Sequence, residues 1–246
     1  MTVARFDFLV CHGWGLSPAN LQPLMGALRT HAPDANFHAV DLGFFGSART
    51  PEWHRLSQPL IAIGHSYGFA YLQRLLAQPN APAVAGHVSV CGFNRFCFSP
   101  SSPQKSGTPL RLLNAMLQRL AADPVATLTD FYERAGLPEV AYPEAAYPDL
   151  SALNLDALTT HLTSLRDTNF ALPAAPLLAL AAADDVIVPP ALSEDCFNTL
   201  SMTSGTHALP LTHADWCAAQ IVNWLGQLNP VSSTHQAVRH AVDSAR

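Results

Sequence analysis

Residues 61–70 read Ile-Ala-Ile-Gly-His-Ser-Tyr-Gly-Phe-Ala, an apolar run that stops at Gly64-His65-Ser66-Tyr67-Gly68 and resumes with a different spacing. This Gly-x-Ser-x-Gly junction constrains the chain more than any other feature. A strand that turns sharply into a helix leaves one residue at the apex, and crowding there demands small residues two positions to either side. Leu60 to Ile63 is a short, β-branched-rich run, whereas Phe69, Leu72, Leu75 and Leu76 recur as on one face of a helix. The apex residue is Ser66. A serine hydroxyl is a poor nucleophile until a base removes its proton, and this elbow lifts the side chain clear of the sheet toward such a base.

A second piece lies upstream, where the apolar run Phe6 to Cys11 ends at His12-Gly13-Trp14-Gly15. Glycine after a strand lets the backbone turn with its N–H groups facing a cavity. The N–H groups of Trp14 and of Tyr67, the residue after the serine, are therefore expected to hold the oxyanion that forms when a carbonyl is attacked. His12 is expected to fasten the loop rather than to act as a base.

Pro176 to Ala182 has a buried-strand pattern and is followed by Ala183-Asp184-Asp185-Val186-Ile187-Val188-Pro189. A carboxylate just past the carboxyl end of a strand can orient an imidazole and stabilise its cation, and on the residues alone either aspartate serves. Thr206 to Leu211 then reads as a last strand running into Thr212-His213-Ala214 and a final helix through Leu225. Of the 11 histidines, His31, His38, His54, His87 and His161 lie away from strand ends, and His235 and His240 lie in the tail. His65 flanks the serine on the strand side. His207 falls inside the predicted last strand, while His213 begins the loop after it, so His213 is the expected base. Serine, aspartate and histidine then follow in an order that differs from those of the other serine hydrolase folds.

With these pieces assembled, the chain resembles an α/β-hydrolase, and within that superfamily it is most similar to the pimeloyl-acyl-carrier-protein methyl ester esterases of biotin synthesis. The likeness spans residues 6–228. It rests on His12-Gly13-Trp14-Gly15-Leu16, Val40-Asp41-Leu42-Gly43-Phe44-Phe45-Gly46-Ser47, the elbow, Pro176 to Pro189, and His213. The resemblance implies a mainly parallel sheet of about six strands with a helical cap insertion, and it selects Asp185, four residues before Pro189, as the acid. Three positions depart from the family pattern. Its Asp-Leu-Pro-Gly-Phe-Gly turn reads Asp-Leu-Gly-Phe-Phe-Gly, the frequent glycine after the elbow is Phe69, and the glycine before the acid is Ala182. Phe69 is expected to push the nucleophile helix outward or to fill a pocket wall. Only five residues precede the first strand, so the antiparallel strands that open a full-length sheet are expected to be missing or vestigial.

A chain of 246 residues, 49% hydrophobic and 13% charged, can bury one sizeable core. Residues 1–93 and 171–228 read as the α/β core, 94–170 as a helical cap, and 229–246 as a polar tail. In the cap, Leu110, Leu113, Leu117 and Leu120 repeat at helical spacing, as do Leu128, Phe131 and Tyr132 after Asp123-Pro124, and Leu155, Leu158, Leu162 and Leu165. Such a cap would bury part of each stripe and leave part to line an acyl tunnel. The first apolar stretch is too short for a signal peptide and leads straight into the oxyanion loop. No apolar run is long enough to span a bilayer. Five cysteines without metal-ligand or disulfide spacing point to reduced thiols in the cytoplasm.

The net charge of -5 hides an asymmetry. No carboxylate occurs between Glu52 and Asp123, where Arg55, Arg74, Arg95, Lys105, Arg111 and Arg119 all fall. Arg95, Lys105, Arg111 and Arg119 lie at or within the cap and are candidates for binding a negatively charged partner. An acidic acyl carrier protein suits the resemblance; nucleic acid does not suit a pI near 6.1 and the lack of a binding motif. The expected activity is hydrolysis of a short-alcohol (methyl) ester with no metal or organic cofactor. An acyl thioesterase, a general short-chain carboxylesterase and an inactive hydrolase-fold binding protein are the alternatives.

Overall fold

The computed structural model describes residues 5–98, 106–137 and 149–228. Six strands form one sheet: β1 (Asp7–Cys11), β2 (Asn36–Val40), β3 (Leu60–His65), β4 (Val84–Val90), β7 (Leu177–Ala182) and β8 (Ser201–Thr203). Their order is β2-β1-β3-β4-β7-β8. Every neighbouring pair is parallel, so the carboxyl ends of β1, β3, β7 and β8 share one edge. Chain order reverses between β1 and β3, which is where an open α/β sheet presents its ligand crevice.

Both faces of the sheet are covered, which is why its strands read as continuous apolar runs rather than strict alternations. Period 2 still decides which side each residue serves. Ile61 and Ile63 of β3 pack with Val10, Val88 and Leu180 against α1 (Gln22–His31) and α8 (Ala214–Leu225), through Leu24, Leu28, Cys217 and Ile221. Leu60 and Ala62 point the other way, toward Phe69 and Leu72 of α2 (Tyr67–Leu76) and the cap.

The cap contains α3 (Leu110–Ala122), α4 (Pro124–Ala135) and α5 (Leu155–Arg166). Asp123 caps α4 by accepting from Ala126 N at 2.9 Å, with Pro124 at the first helical position and Gly136 closing the helix at φ 73°. Asn154 caps α5 in the same way through Ala157 N. Leu113, Leu120, Leu128, Leu158, Leu162 and Leu165 are all buried. The chain leaves the core and returns to it at one point, where Phe170 N donates to Asn94 O at 3.2 Å and Asn94 Nδ2 to Phe170 O at 3.1 Å. A short parallel ladder of β5 (Cys97–Phe98) and β6 (Thr108–Pro109) lies beside that junction. Lys105, Pro138, Pro143, Pro148 and the polar tail from residue 229 lie outside the described residues.

One predicted element is displaced. The last strand is Ser201–Thr203 rather than Thr206 to Leu211, and Leu209–Thr212 forms a helical turn, α7, directly before α8. Pro210 explains the difference. Proline cannot donate to a sheet ladder but is accommodated in the first turn of a helix. Among the described residues no helix is long and apolar enough to cross a membrane.

Candidate active site

Ser66 sits between β3 and α2 with φ 54° and ψ −126°, a strained conformation for a residue with a side chain. The flanking glycines explain how it is held. A Cβ at Gly64 would lie 2.2 Å from Phe69 Cα, and one at Gly68 would lie 2.3 Å from the carbonyl oxygen of Cys11. Both obstacles are backbone, so neither can swing aside, and the elbow closes only with glycine at both positions. Ser66 N anchors the turn by donating to Val90 O at 2.9 Å.

From this apex a hydrogen-bonded chain runs across the carboxyl edge of the sheet. Ser66 Oγ lies 2.9 Å from Nε2 of His207, and His207 Nδ1 lies 2.7 Å from Oδ2 of Asp185. All three residues are buried. Asp185 Oδ1 accepts from the N–H groups of Ile187 and Val188, each at 2.8 Å. Burial alone would push the Asp185 pKa up, but the charge and hydrogen bond of His207 and the two backbone donors outweigh it and leave the carboxyl below its ordinary value. An ionised Asp185 accepts a hydrogen bond from Nδ1–H of His207, which leaves the Nε2 lone pair facing the serine hydroxyl.

The histidine that reaches Ser66 is therefore His207, where the sequence reading expects His213. His213 lies half-buried six residues on, its Nδ1 2.9 Å from Thr212 Oγ1. His207 lies in the loop after the last strand, which ends earlier than the sequence pattern suggests. Pro210 within the supposed strand and Gly205 just before His207 were the signals available. Asp184, the other aspartate, is exposed and accepts from Gly205 N at 3.3 Å.

Three further residues shape the site. His65 donates from Nε2 to the carbonyl oxygen of His207 at 2.9 Å, so it grips the loop that carries the base. Burial, then the charge of His207, depress its pKa to about 3, which keeps the ring neutral. Cys91, in an unusual positive-φ conformation at 49°, turns its buried thiol toward the Asp185 carboxylate; burial and that carboxylate push its pKa up. Its sulfur, Asp185 and His207 lie close enough together that a metal ion could be imagined there. The short Asp185–His207 hydrogen bond gives these groups a different use. His12 fastens its loop: Nδ1 lies 2.9 Å from Gly13 O, and Nε2 accepts from Leu42 N at 3.1 Å.

Trp14 and Tyr67, the residues expected to hold an oxyanion, flank Ser66 from two sides. Tyr67 opens α2, so its N–H lies in the first turn, where helices leave donors without an intrahelical partner. The turn that carries Trp14 presses on Ser66 so closely that a Cβ at Gly13 would lie 3.1 Å from Ser66 Cβ. Trp14, Ser66 and Tyr67 together line a cavity of about 340 Å³ beneath the cap, walled by Leu113, Phe131 and Leu162 among others. Leu112 and Val186 line it while remaining exposed, which marks where it opens to solvent. Phe69 lines no wall of this cavity: it is fully buried against Phe170 and Phe197, and occupies space left by Gly92.

The candidate cap cations separate. Arg95 is committed internally, donating to Ser106 O and Oγ at 3.1 and 3.2 Å and lying 3.7 Å from Asp195, so it is not available to a partner. Arg111 is exposed on α3. Arg119 is exposed, lines the cavity, and sits 3.5 Å from Asp130.

No protein-family model matches the sequence, and a search of curated proteins finds no match. Solved structures do match. An esterase from Exiguobacterium antarcticum superimposes with a TM-score of 0.73 at 14% identity, over 89% of this chain and 91% of that one. A bromoperoxidase from Bacillus anthracis gives 0.71 at 17% identity over the same shares. The BioG protein of Haemophilus influenzae gives 0.60 at 17% identity, over 87% of this chain and 94% of that one. The fold is that of the α/β-hydrolases. Within the α/β-hydrolase fold, Ser66 occupies the strand-to-helix elbow, Asp185 the loop after β7 and His207 the loop after β8, which is the chain order serine, acid, histidine.

Proposed function

We propose that the protein is a serine carboxylic ester hydrolase in which Ser66, His207 and Asp185 form the catalytic triad. The observation that carries this reading is the hydrogen-bonded chain from Ser66 Oγ through His207 to Asp185 on the wall of an apolar cavity. The Ser66 oxygen attacks the ester carbonyl as its proton passes to His207 Nε2, and Asp185 stabilises the resulting imidazolium. The N–H groups of Trp14 and Tyr67 hold the carbonyl oxygen as it becomes an anion. His207 then gives its proton to the departing alcohol, and a water molecule, deprotonated by the same nitrogen, releases the acyl group from Ser66.

The substrate proposed is the methyl ester of an acyl-carrier-bound dicarboxylate, pimeloyl-acyl-carrier-protein methyl ester in biotin synthesis. The sequence resemblance supports it, as do the apolar walls beneath the cap and the exposed Arg111 and Arg119. An ion pair between exposed side chains such as Arg119 and Asp130 is worth roughly 0–1 kcal/mol, so it leaves Arg119 free to meet an acidic carrier. Five free thiols fit a reducing cytoplasm.

A side-by-side assay tests the reading, using the carrier-bound methyl ester, its free small-molecule counterpart and an acyl thioester. Preference for the first is expected. Indifference among small p-nitrophenyl esters would favour a general carboxylesterase, and preference for the thioester a thioesterase. Changing Arg111 and Arg119 to Glu should lower kcat/KM for the carrier-bound ester and weaken its salt dependence, leaving a small neutral ester nearly unchanged. Equal losses on both substrates would make these arginines structural.

A further inference from the structure

The two residues whose backbone N–H groups serve the oxyanion have side chains that both end on the same cap helix. Trp14 Nε1 donates to Leu158 O at 2.9 Å. The Tyr67 hydroxyl reaches His161 Nδ1 at 2.9 Å and Ser164 Oγ at 2.7 Å, and receives Arg74 from α2 at 2.6 Å. Leu158, His161 and Ser164 are spaced three apart on α5 and so follow one side of it. A fourth contact comes from α4, where the Tyr132 hydroxyl donates to Gly15 O at 2.7 Å, next to Trp14.

The protons of the Tyr67 cluster can be assigned without leaving any group idle. Ser164 donates to His161 O at 2.8 Å, so its oxygen accepts from the Tyr67 hydroxyl. The phenol oxygen then accepts from Arg74 and from His161 Nδ1–H. Burial, then the neighbouring charge of Arg74, depress the His161 pKa to about 4, so one neutral tautomer serves. Apolar burial alone would not require this chemistry. Tyr67 and Trp14 are almost fully buried, where phenylalanine would pack as well, whereas a polar tip gives each ring a fixed direction.

We infer that the Leu158, His161 and Ser164 face of α5 positions the oxyanion hole, with Trp14 and Tyr67 as levers that tie the backbone N–H groups to the cap. The inference rests on the hydrolase reading above. It makes the cap part of the catalytic geometry: the distance between the two N–H groups depends on where α5 sits. Interactions of this kind act on the transition state more than on substrate binding, so their loss appears in kcat rather than KM.

The test uses Trp14→Phe and Tyr67→Phe in the full chain. It measures kcat and KM on a neutral p-nitrophenyl ester, the inhibition constant of an alkylboronic acid, whose serine adduct is a tetrahedral anion, and the melting temperature. Removing one oxyanion donor outright costs about 10²–10³ in kcat. Misplacing it should cost about tenfold or more, with KM within twofold and the boronate inhibition constant rising by the same factor as kcat falls. Trp14→Phe leaves Leu158 O its helical partner and carries the test alone if Tyr67→Phe fails to fold. A kcat within twofold of the parent in the folded variants would overturn the inference. So would a loss carried by KM with boronate affinity unchanged, which would make the two residues walls of the substrate cavity. Activity surviving Ser66→Ala is a separate outcome, and it would overturn the hydrolase reading beneath.

Discussion

The loop after β3 and the loop after β8 bring Ser66 and His207 to the same point, yet they are held by different means. The elbow is held by the sheet beside it. Gly64 and Gly68 press against backbone atoms of Phe69, Cys11 and His12, so contacts along two adjacent strands and one helix start fix Ser66. The histidine loop is held from outside: His65 grips the carbonyl of His207, Ala208 N donates to Ala135 O at 3.0 Å, and Gly136 of the cap backs onto Thr206. Ser66 is thus held by the sheet core alone, while His207 is held by core and cap together.

Replacing the groups themselves breaks this comparison most severely. Ser66→Ala should lower kcat on an activated ester on the order of 10⁶-fold with little change in melting temperature, because a cooperating triad fails as a unit. His207→Ala should approach the same loss, while His213→Ala stays within about threefold, since the His213 ring bonds Thr212 and not Ser66; the reverse ranking would move the base. Next comes the acid. Asp185→Asn should cost on the order of 10⁴ in kcat through loss of imidazole orientation, whereas Asp184→Asn removes one bond to Gly205 N and should change kcat only slightly. Equal losses at the two aspartates would sink the assignment.

The glycines sharpen the contrast between the loops. Gly64→Ala meets backbone at 2.2 Å, and its cost should fall among the exceptional ones, above about 4 kcal/mol by denaturant unfolding. A Cβ at Gly205 meets the His213 ring at 2.9 Å, which can turn away, and Leu209 Cδ1 at an ordinary 3.5 Å; its φ of 127° leaves backbone strain of about 1–3 kcal/mol. If the two variants unfold at the same denaturant concentration, the elbow is no stiffer than the histidine loop.

The smallest expected effect is on pH. Burial is the leading cause that depresses the pKa of His65 to about 3 and of His87 and His161 to about 4, against 6.5 ordinarily. Below pH 6.5 the unfolded chain therefore binds protons that the folded chain refuses, so stability is complete above 6.5 and declines as pH falls toward 4. The melting temperature should drop across that window, and His87→Gln should reduce the slope. A flat profile between pH 6.5 and 4.5 would contradict burial of these rings.

Ser66 was legible because the elbow's requirements are local: an apolar run, two glycines, and a helical spacing after them. Asp185 needed the family pattern to separate it from Asp184, since both follow the strand and only the turn that brings Ile187 and Val188 N–H groups onto one carboxylate distinguishes them. His207 was misread because Thr206 to Leu211 carries apolar residues at strand-like spacing, and the helical turn around Pro210 outweighed that pattern. The roles of His65 and Cys91 had no sequence signal at all, because each depends on a partner more than 90 positions away.

By itself the sequence determined the apolar strand runs, the helical stripes and the Gly-x-Ser-x-Gly elbow, since apolar periodicity acts over a few neighbouring residues, while the parallel sheet of about six strands followed from the family resemblance. Which histidine faces that serine, which arginines remain free, and where the two oxyanion side chains end were decided only by the tertiary structure. Hydrogen bonds such as His207 to Ser66 and Trp14 to Leu158 span 141 and 144 residues, and no local propensity encodes a distance that exists only after the cap has closed over the sheet.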